Sequence, residues 1–297
     1  MTETVLVTGC SSGIGFATAR AFLDADRDWR VYATARDRDC DGLRELEARG
    51  AELAALDLAD PDAIERVVGR IRSETGGVDC LVNNAGYGQF GPVEDVPTDR
   101  LERQFAVHCF GPHRLIRAVL PDMRKRGRGR IITVTSAADR LALTGIGGYN
   151  ASKWAMAGLT DALRQDLFGT NIDVVTVQPG VVRTSFYDRV SAELDDTEAT
   201  ASPTHYADLY RALRGLRAVE GGGPLLNEPD RVAGTILRAA SVRKPSTHYR
   251  VGPLPLLGSL YGTLVPGAVR DRLSRLAVRI VASEPVLSLL ERRVPDS

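Results

Sequence analysis

Six short runs of aliphatic and β-branched residues, at positions 5–8, 31–34, 53–56, 80–82, 131–135 and 174–177, alternate with longer segments of helical periodicity. Inside each run the apolar character is nearly continuous instead of alternating, the pattern of a strand covered on both faces. Strands of that kind separated by helices predict a parallel, doubly wound α/β sheet. The helical segments hold individually: Ala17, Ala21 and Phe22 recur after Gly15, and Ile64, Val67, Val68 and Ile71 recur after Pro61.

No internal repeat or low-complexity linker interrupts this order, which predicts a single domain over residues 1–252. Between about 185 and 225 the pattern weakens into an acidic patch and then Gly221-Gly222-Gly223-Pro224, the mark of an insertion. Residues 253–297 form a helical extension, expected to pack on the domain. There Leu273, Leu276, Ala277, Ile280 and Val281 share one face, beside Arg272, Arg275 and Arg279. Such a helix can cover a pocket, pair with another subunit in a homo-oligomer, or rest on a membrane surface.

The 297 residues, 43% of them hydrophobic, can build a large core without disulfide or metal. Lys plus Arg and Asp plus Glu are equal at 38 each, so no global field draws in nucleic acid. The basic run from Arg124 to Arg130 stands at the end of a predicted helix, where cations suit the helix dipole. Cys10, Cys40, Cys80 and Cys109 are scattered with no metal spacing, and the N-terminus has no signal-peptide pattern; both point to a cytoplasmic protein with reduced thiols. The apolar stretch 254–269 is cut by Pro255 and Pro266 and is too short for a transmembrane helix.

Candidate chemistry begins directly after the first strand. Thr8-Gly9-Cys10-Ser11-Ser12-Gly13-Ile14-Gly15 opens a helix, and glycines there permit a tight turn and close backbone approach to a pyrophosphate. Farther on, Tyr149 and Lys153 stand four apart at the start of a helical run, 151–168, and therefore one turn apart on one face. An ammonium so placed lowers a phenol pKa by favouring phenolate. Reaching neutrality from about 10 takes ~3 units, or ~4 kcal/mol, more than one partly solvated lysine supplies. Ser136 follows the run 131–135, at the strand end where open parallel sheets bind ligands, so its hydroxyl can hold a substrate oxygen beside the tyrosine.

The glycine turn, Asn83-Asn84-Ala85-Gly86, Tyr149-Asn150-Ala151-Ser152-Lys153 and Pro179-Gly180 with Thr184 together resemble the short-chain dehydrogenase/reductases over roughly residues 4–185. The resemblance implies a Rossmann-type sheet of about seven strands with helices on both faces. It implies that Ser136 orients the substrate, that Tyr149 is the general acid/base, and that Lys153 also binds the nicotinamide ribose. The positive charge of oxidised nicotinamide would add to the lysine's effect on the phenol. Gly9, Ser11, Ser12, Gly13, Ile14, Gly15, Asp57, Leu58, Asn84, Ala85, Gly86, Pro179, Gly180, Val182 and Thr184 become cofactor-binding candidates. Asp57 matches the position that meets adenine; as a residue alone it equally suits a helix cap before Pro61.

Arg36 stands at the end of the second strand, where NAD would call for a carboxylate and a 2′-phosphate for an arginine. That favours NADP(H), with Ser11 and Ser12 adding hydroxyls; the competing reading is a solvated charge beside Asp37, Arg38 and Asp39. His108 occupies the place where many family members carry an asparagine that helps bind a proton-relay water. It suits a substitute relay or a packed histidine bonded to backbone, and it stays outside the catalytic set.

Within the family, the glycine turn, Val31-Tyr32-Ala33-Thr34 and Leu120-Pro121-Asp122-Met123 look most like the branch of hydroxysteroid and retinol dehydrogenases, implying a hydrophobic alcohol or carbonyl substrate. Specificity is expected between Thr184 and Pro224 and in the tail, with Phe186, Tyr187, Tyr206 and Tyr210 either lining a pocket or serving as core. The competing function is a catalytically idle NADP(H)-binding sensor or scaffold. A sugar-nucleotide epimerase shares the tyrosine and lysine spacing, but usually with a different glycine turn and a longer C-terminal domain.

Overall fold

The computed structural model describes residues 2–200, 205–215 and 226–286. The end of the insertion, with its Gly221-Gly222-Gly223-Pro224, and the tail beyond 286 lie outside them. The six apolar runs form β1 (Glu3–Thr8), β2 (Trp29–Ala35), β3 (Glu52–Ala55), β4 (Cys80–Asn83), β5 (Gly129–Val134) and β6 (Ile172–Pro179). β7 (Val181–Val182) and β8 (Leu226–Asn227) make a separate parallel ladder, while β9 (His248–Val251) completes the main sheet. All neighbours in the seven-stranded sheet are parallel, in the order β3-β2-β1-β4-β5-β6-β9. β9 matches none of the six runs because it is an edge strand, and its His-Tyr-Arg-Val keeps the polar positions that a half-covered strand tolerates.

Helices cover both faces. α1 (Gly13–Leu23), α2 (Asp41–Ala48) and α9 (Pro229–Ser241) pack over one, where Val5 and Val7 of β1 join Val31, Ala33, Val175 and Ile236 in a continuous core. α3 (Pro61–Thr75), α5 (Gly111–Arg126) and α6 (Gly147–Asp166) pack over the other, where Leu6 of the same strand meets Tyr32, Ile64, Leu115 and Met156. Burial of alternate residues on opposite faces explains why β1 carries no polar alternation.

The segment with weak periodicity holds two helices, α7 (Phe186–Thr200) and α8 (Ala207–Gly215), over a smaller core of Phe90, Ile146, Val190, Leu194 and Leu213. The extension forms α10 (Leu254–Leu264) and α11 (Gly267–Val281), and no described helix is long and apolar enough to cross a membrane. In the basic run, Arg126 donates to the carbonyls of Gly76 and Val78, and Arg130 to those closing α9. The strand order reverses between β1 and β4, which opens a crevice at the C-terminal ends of the strands.

Candidate active site

At the top of β1 the chain turns with Gly9 and Gly13 at φ of 77° and 58°, values that side chains other than glycine rarely adopt. A Cβ on Gly9 would lie 2.7 Å from the Ala85 Cα; one on Gly15 would overlap the Gly9 carbonyl oxygen and sit 2.6 Å from Asn84 Nδ2. Asn84 holds the turn to β4: its Nδ2 donates to the Thr8 carbonyl at 2.9 Å, and the Asn84 and Ala85 amides both donate to Thr8 Oγ1 at 3.0 Å. The result is a bare backbone cradle at the start of α1, which fits a nucleotide pyrophosphate. Gly15→Ala should lower stability by about 1–3 kcal/mol, because the obstacle is backbone that cannot step aside. Urea denaturation checks this, and an unchanged midpoint would contradict it.

Beside the cradle, Arg36, Asp57, Leu58, Ala85 and Gly86 line one cavity of about 560 Å³. Asp57 does not cap α3. Its Oδ1 accepts from the Ala59 amide at 2.9 Å, while Asp60 accepts from the Asp62 amide and takes the capping role. Arg36 is exposed and makes no hydrogen bond or ion pair among the described residues, whereas Arg38 pairs with Glu47. Ser12 faces α7 instead: its Oγ lies 3.1 Å from Ser185 Oγ and accepts from Arg189 at 3.2 Å. Arg189 lines the same cavity as Arg36. It sits in the weakly patterned insertion, so only the folded path of α7 brings it to the glycine turn.

The second part of the site forms where β5, α6 and the helix before α5 converge. Ser136 starts a 3-10 turn, Ala137–Asp139, and its Oγ accepts from the Ala138 amide at 3.1 Å. α6 begins at Gly147, earlier than its periodicity predicts, so Tyr149 lies in the first turn and Lys153 one turn on. The Ser136 hydroxyl is close enough to the Tyr149 phenol to favour its charged form. Lys153 Nζ is 5.9 Å from the tyrosine ring centre and donates to the Val134 carbonyl at 3.3 Å. Asn150 pins the intervening loop, donating to the Ala138 and Leu141 carbonyls and accepting from the Leu143 amide.

The electrostatics correct one expectation. Burial pushes the Tyr149 phenol up to about 12, against the smaller lowering from Ser136. The same burial brings Lys153, only 8% exposed, from its usual value to about 8, with Asp139 opposing that fall. Desolvation is the largest influence on both groups and disfavours the charged form of each. The protein alone therefore keeps the tyrosine as a neutral phenol near pH 7, a proton donor in waiting.

Sequence reasoning missed Asp139. Its buried carboxylate accepts from Gln178 Nε2 at 2.9 Å on each oxygen, joining β6 to the turn that carries Ser136, and burial raises its pKa. The only signal was an acid and an amide at the ends of two strands, and the pairing of β5 with β6 is what joins them.

His108 lies in a π-helical turn, Ala106–Phe110, between α4 (Thr98–Phe105) and α5. Such bulges frequently mark functional sites. Nε2 accepts from the Tyr87 amide at 3.0 Å, which leaves the ring proton on Nδ1 to donate to Ser152 Oγ at 2.9 Å; that hydroxyl donates to the Tyr149 carbonyl at 2.8 Å. Burial and the Lys153 charge hold its pKa well below the usual histidine range. It is a neutral, backbone-bonded histidine that steadies the first turn of α6.

A cavity of about 510 Å³ gathers Ile14, Asn84, Gly86, Ser136, Tyr149, Lys153, Pro179, Gly180, Val182 and Thr184 on its walls. Gly86 also borders the Arg36 cavity, so the two adjoin. Phe186 and Tyr187 reach the cavity that holds Ser136 and Tyr149, whereas Tyr206 and Tyr210 belong to the small core beside it. Residues 3–195 match the short chain dehydrogenase family. The chain belongs to that family. It is 34% identical over 282 residues to human retinol dehydrogenase 8, covering 87% of this chain and 88% of the relative. It is 32% identical over 255 residues to human 17-beta-hydroxysteroid dehydrogenase type 1, covering 82% and 76%.

Among solved structures, a short-chain dehydrogenase from Streptomyces avermitilis superposes with a TM-score of 0.74 at 29% identity, covering 96% of this chain and 99% of that one. A serine dehydrogenase complexed with NADP+ gives 0.69 at 27% identity, covering 85% and 95%. A Burkholderia phymatum family member in complex with NAD gives 0.73, covering 94% and 95%, but at 23% identity it speaks for the fold alone. The protein is thus an oxidoreductase of this family, in the branch resembling hydroxysteroid and retinol dehydrogenases.

Proposed function

We propose that the protein interconverts an alcohol and a ketone or aldehyde on a hydrophobic small molecule, with NADP(H) preferred over NAD(H), in a reducing cytoplasmic setting that suits its four free cysteines. The observation that carries the reading is that Ser136, Tyr149 and Lys153 share the wall of one cavity with Phe90, Leu141, Ile146 and Phe186. A volume of about 510 Å³ is of the size small-molecule sites have. A bound nicotinamide would supply or accept the hydride. Ser136 holds the substrate oxygen, the neutral Tyr149 phenol gives that oxygen its proton in the reducing direction, and Lys153 holds the cofactor ribose. Arg36, on the adjoining cavity and without an ion pair among the described residues, supports the preference for a 2′-phosphate.

A panel of hydrophobic alcohols and carbonyls, followed by NADPH against NADH absorbance, tests the proposal. Binding of NADPH with no turnover of any member would favour the idle sensor instead. Lys153→Ala should lower turnover and weaken cofactor binding together, each by roughly 10-fold, since losing a charged hydrogen-bond donor costs about 1.5 kcal/mol or more. Fluorescence titration of NADPH separates the two effects, and unchanged cofactor affinity would remove the ribose contact from the lysine's role.

A further inference from the structure

α10 and α11 each carry a face that the described fold leaves uncovered. α10 has no charged residue; it settles onto the turn after Ser136 through Gly258 and Gly262, which meet the Ala137 and Arg140 carbonyls. Leu256, Leu260 and Leu264, at spacing i, i+4, i+8, are 47%, 47% and 72% exposed. α11 rests on the small core near α8 through Val278. Val269, Leu273, Leu276 and Ile280 then form a single exposed stripe at i, i+4, i+7, i+11. Eight of the fourteen large hydrophobic side chains exposed among the described residues lie on these two helices, so the apolar exposure is concentrated rather than scattered.

Charge chooses between occupants of this face. Arg272, Arg275 and Arg279 run along one flank of the α11 stripe, exposed and without an ion pair among the described residues, and Asp271 is the only acid in the helix. An apolar stripe beside a row of arginines complements the acyl boundary and the phosphates of an anionic bilayer. A two-fold contact with a second copy would bring the same arginine rows toward each other, against the usual depletion of charge in interface cores. We infer that the exposed face of α10 and α11 docks the protein on an anionic lipid surface.

The docking places the cavity mouth at the lipid. Leu257 is 54% exposed and also lines the cavity together with Leu254, Gly258 and Tyr261 of the same helix. A lipophilic substrate dissolved in the bilayer then enters past α10; this half of the inference rests on the proposed function, and the docking half does not.

The test is co-sedimentation of the full chain with phosphatidylcholine vesicles and with vesicles that also contain phosphatidylglycerol. The protein should bind the mixed vesicles on the order of 100-fold more tightly, from three arginines near the surface, and release with added salt. Leu276→Glu with Ile280→Glu should abolish pelleting, and Arg272→Ser, Arg275→Ser and Arg279→Ser together should erase the preference for anionic lipid, with melting temperatures unchanged in both. Wild type that stays in solution with both vesicles overturns the inference, and so do variants that pellet like wild type. Light scattering then names what covers the face: a dimer split by the Leu276→Glu and Ile280→Glu pair assigns it to a second copy, and a monomer assigns it to the chain's own remaining segments. Pelleting needs no turnover, so a protein that pellets but reduces nothing loses only the functional proposal.

Discussion

Tyr149→Phe should lower turnover by at least ~10²-fold while leaving the fold and NADPH affinity close to wild type, because it removes one hydroxyl and almost no volume. The ring stays in place through contacts that do not involve its oxygen: it meets the edges of Phe90, His108 and Phe186 at centroid distances of 5.7 to 5.8 Å. What disappears is the proton donor beside Ser136. The measurement is kcat with the best substrate of the panel, alongside a fluorescence titration of NADPH. Retained turnover would remove Tyr149 from the acid/base role, and a large loss of NADPH affinity would show that the phenol acts chiefly by binding.

How far this site was legible in the sequence depends on how local its geometry is. The glycine turn and the Tyr149 and Lys153 pair each lie within one strand-turn-helix or one helical turn, so spacing alone placed them. The same holds for six of the seven main-sheet strands, whose unbroken apolar runs follow from burial on both faces. The edge strand β9, exposed on one side, carries no such signature. Groups that meet only through topology left no pattern: Asp139 needs Gln178 from the neighbouring strand, and Ser12 needs Arg189 from the insertion. The phenol pKa belongs to this second kind. Spacing shows the ammonium nearby, but the balance turns on how deeply both groups are buried, which only the assembled cavity determines.

Arg36→Ala should weaken NADPH binding by about 1.5–3 kcal/mol, the usual worth of a hydrogen bond to a charged group, and scarcely affect NADH. Cofactor preference would fall by roughly 10- to 150-fold. The guanidinium is free to act: it is exposed beside Asp57 and Leu58, and its neighbours are engaged elsewhere, Asp37 with the Asp39 amide and Arg38 with Glu47. A carboxylate for the 2′-hydroxyl of NADH belongs at the same position and not at Ala35, which is 6% exposed in the core over β2, where a carboxylate would be buried. Arg36→Asp should therefore go further than alanine, adding repulsion against the phosphate and an acceptor for the free hydroxyl. Both variants are read as kcat/KM with each cofactor at fixed ionic strength, since an exposed phosphate contact is screened by salt. Wild type that already prefers NADH, or an alanine variant that loses both cofactors equally, would reduce Arg36 to a surface charge. Arg189, the other guanidinium on that cavity and already donating to Ser12, would then be the residue to replace next.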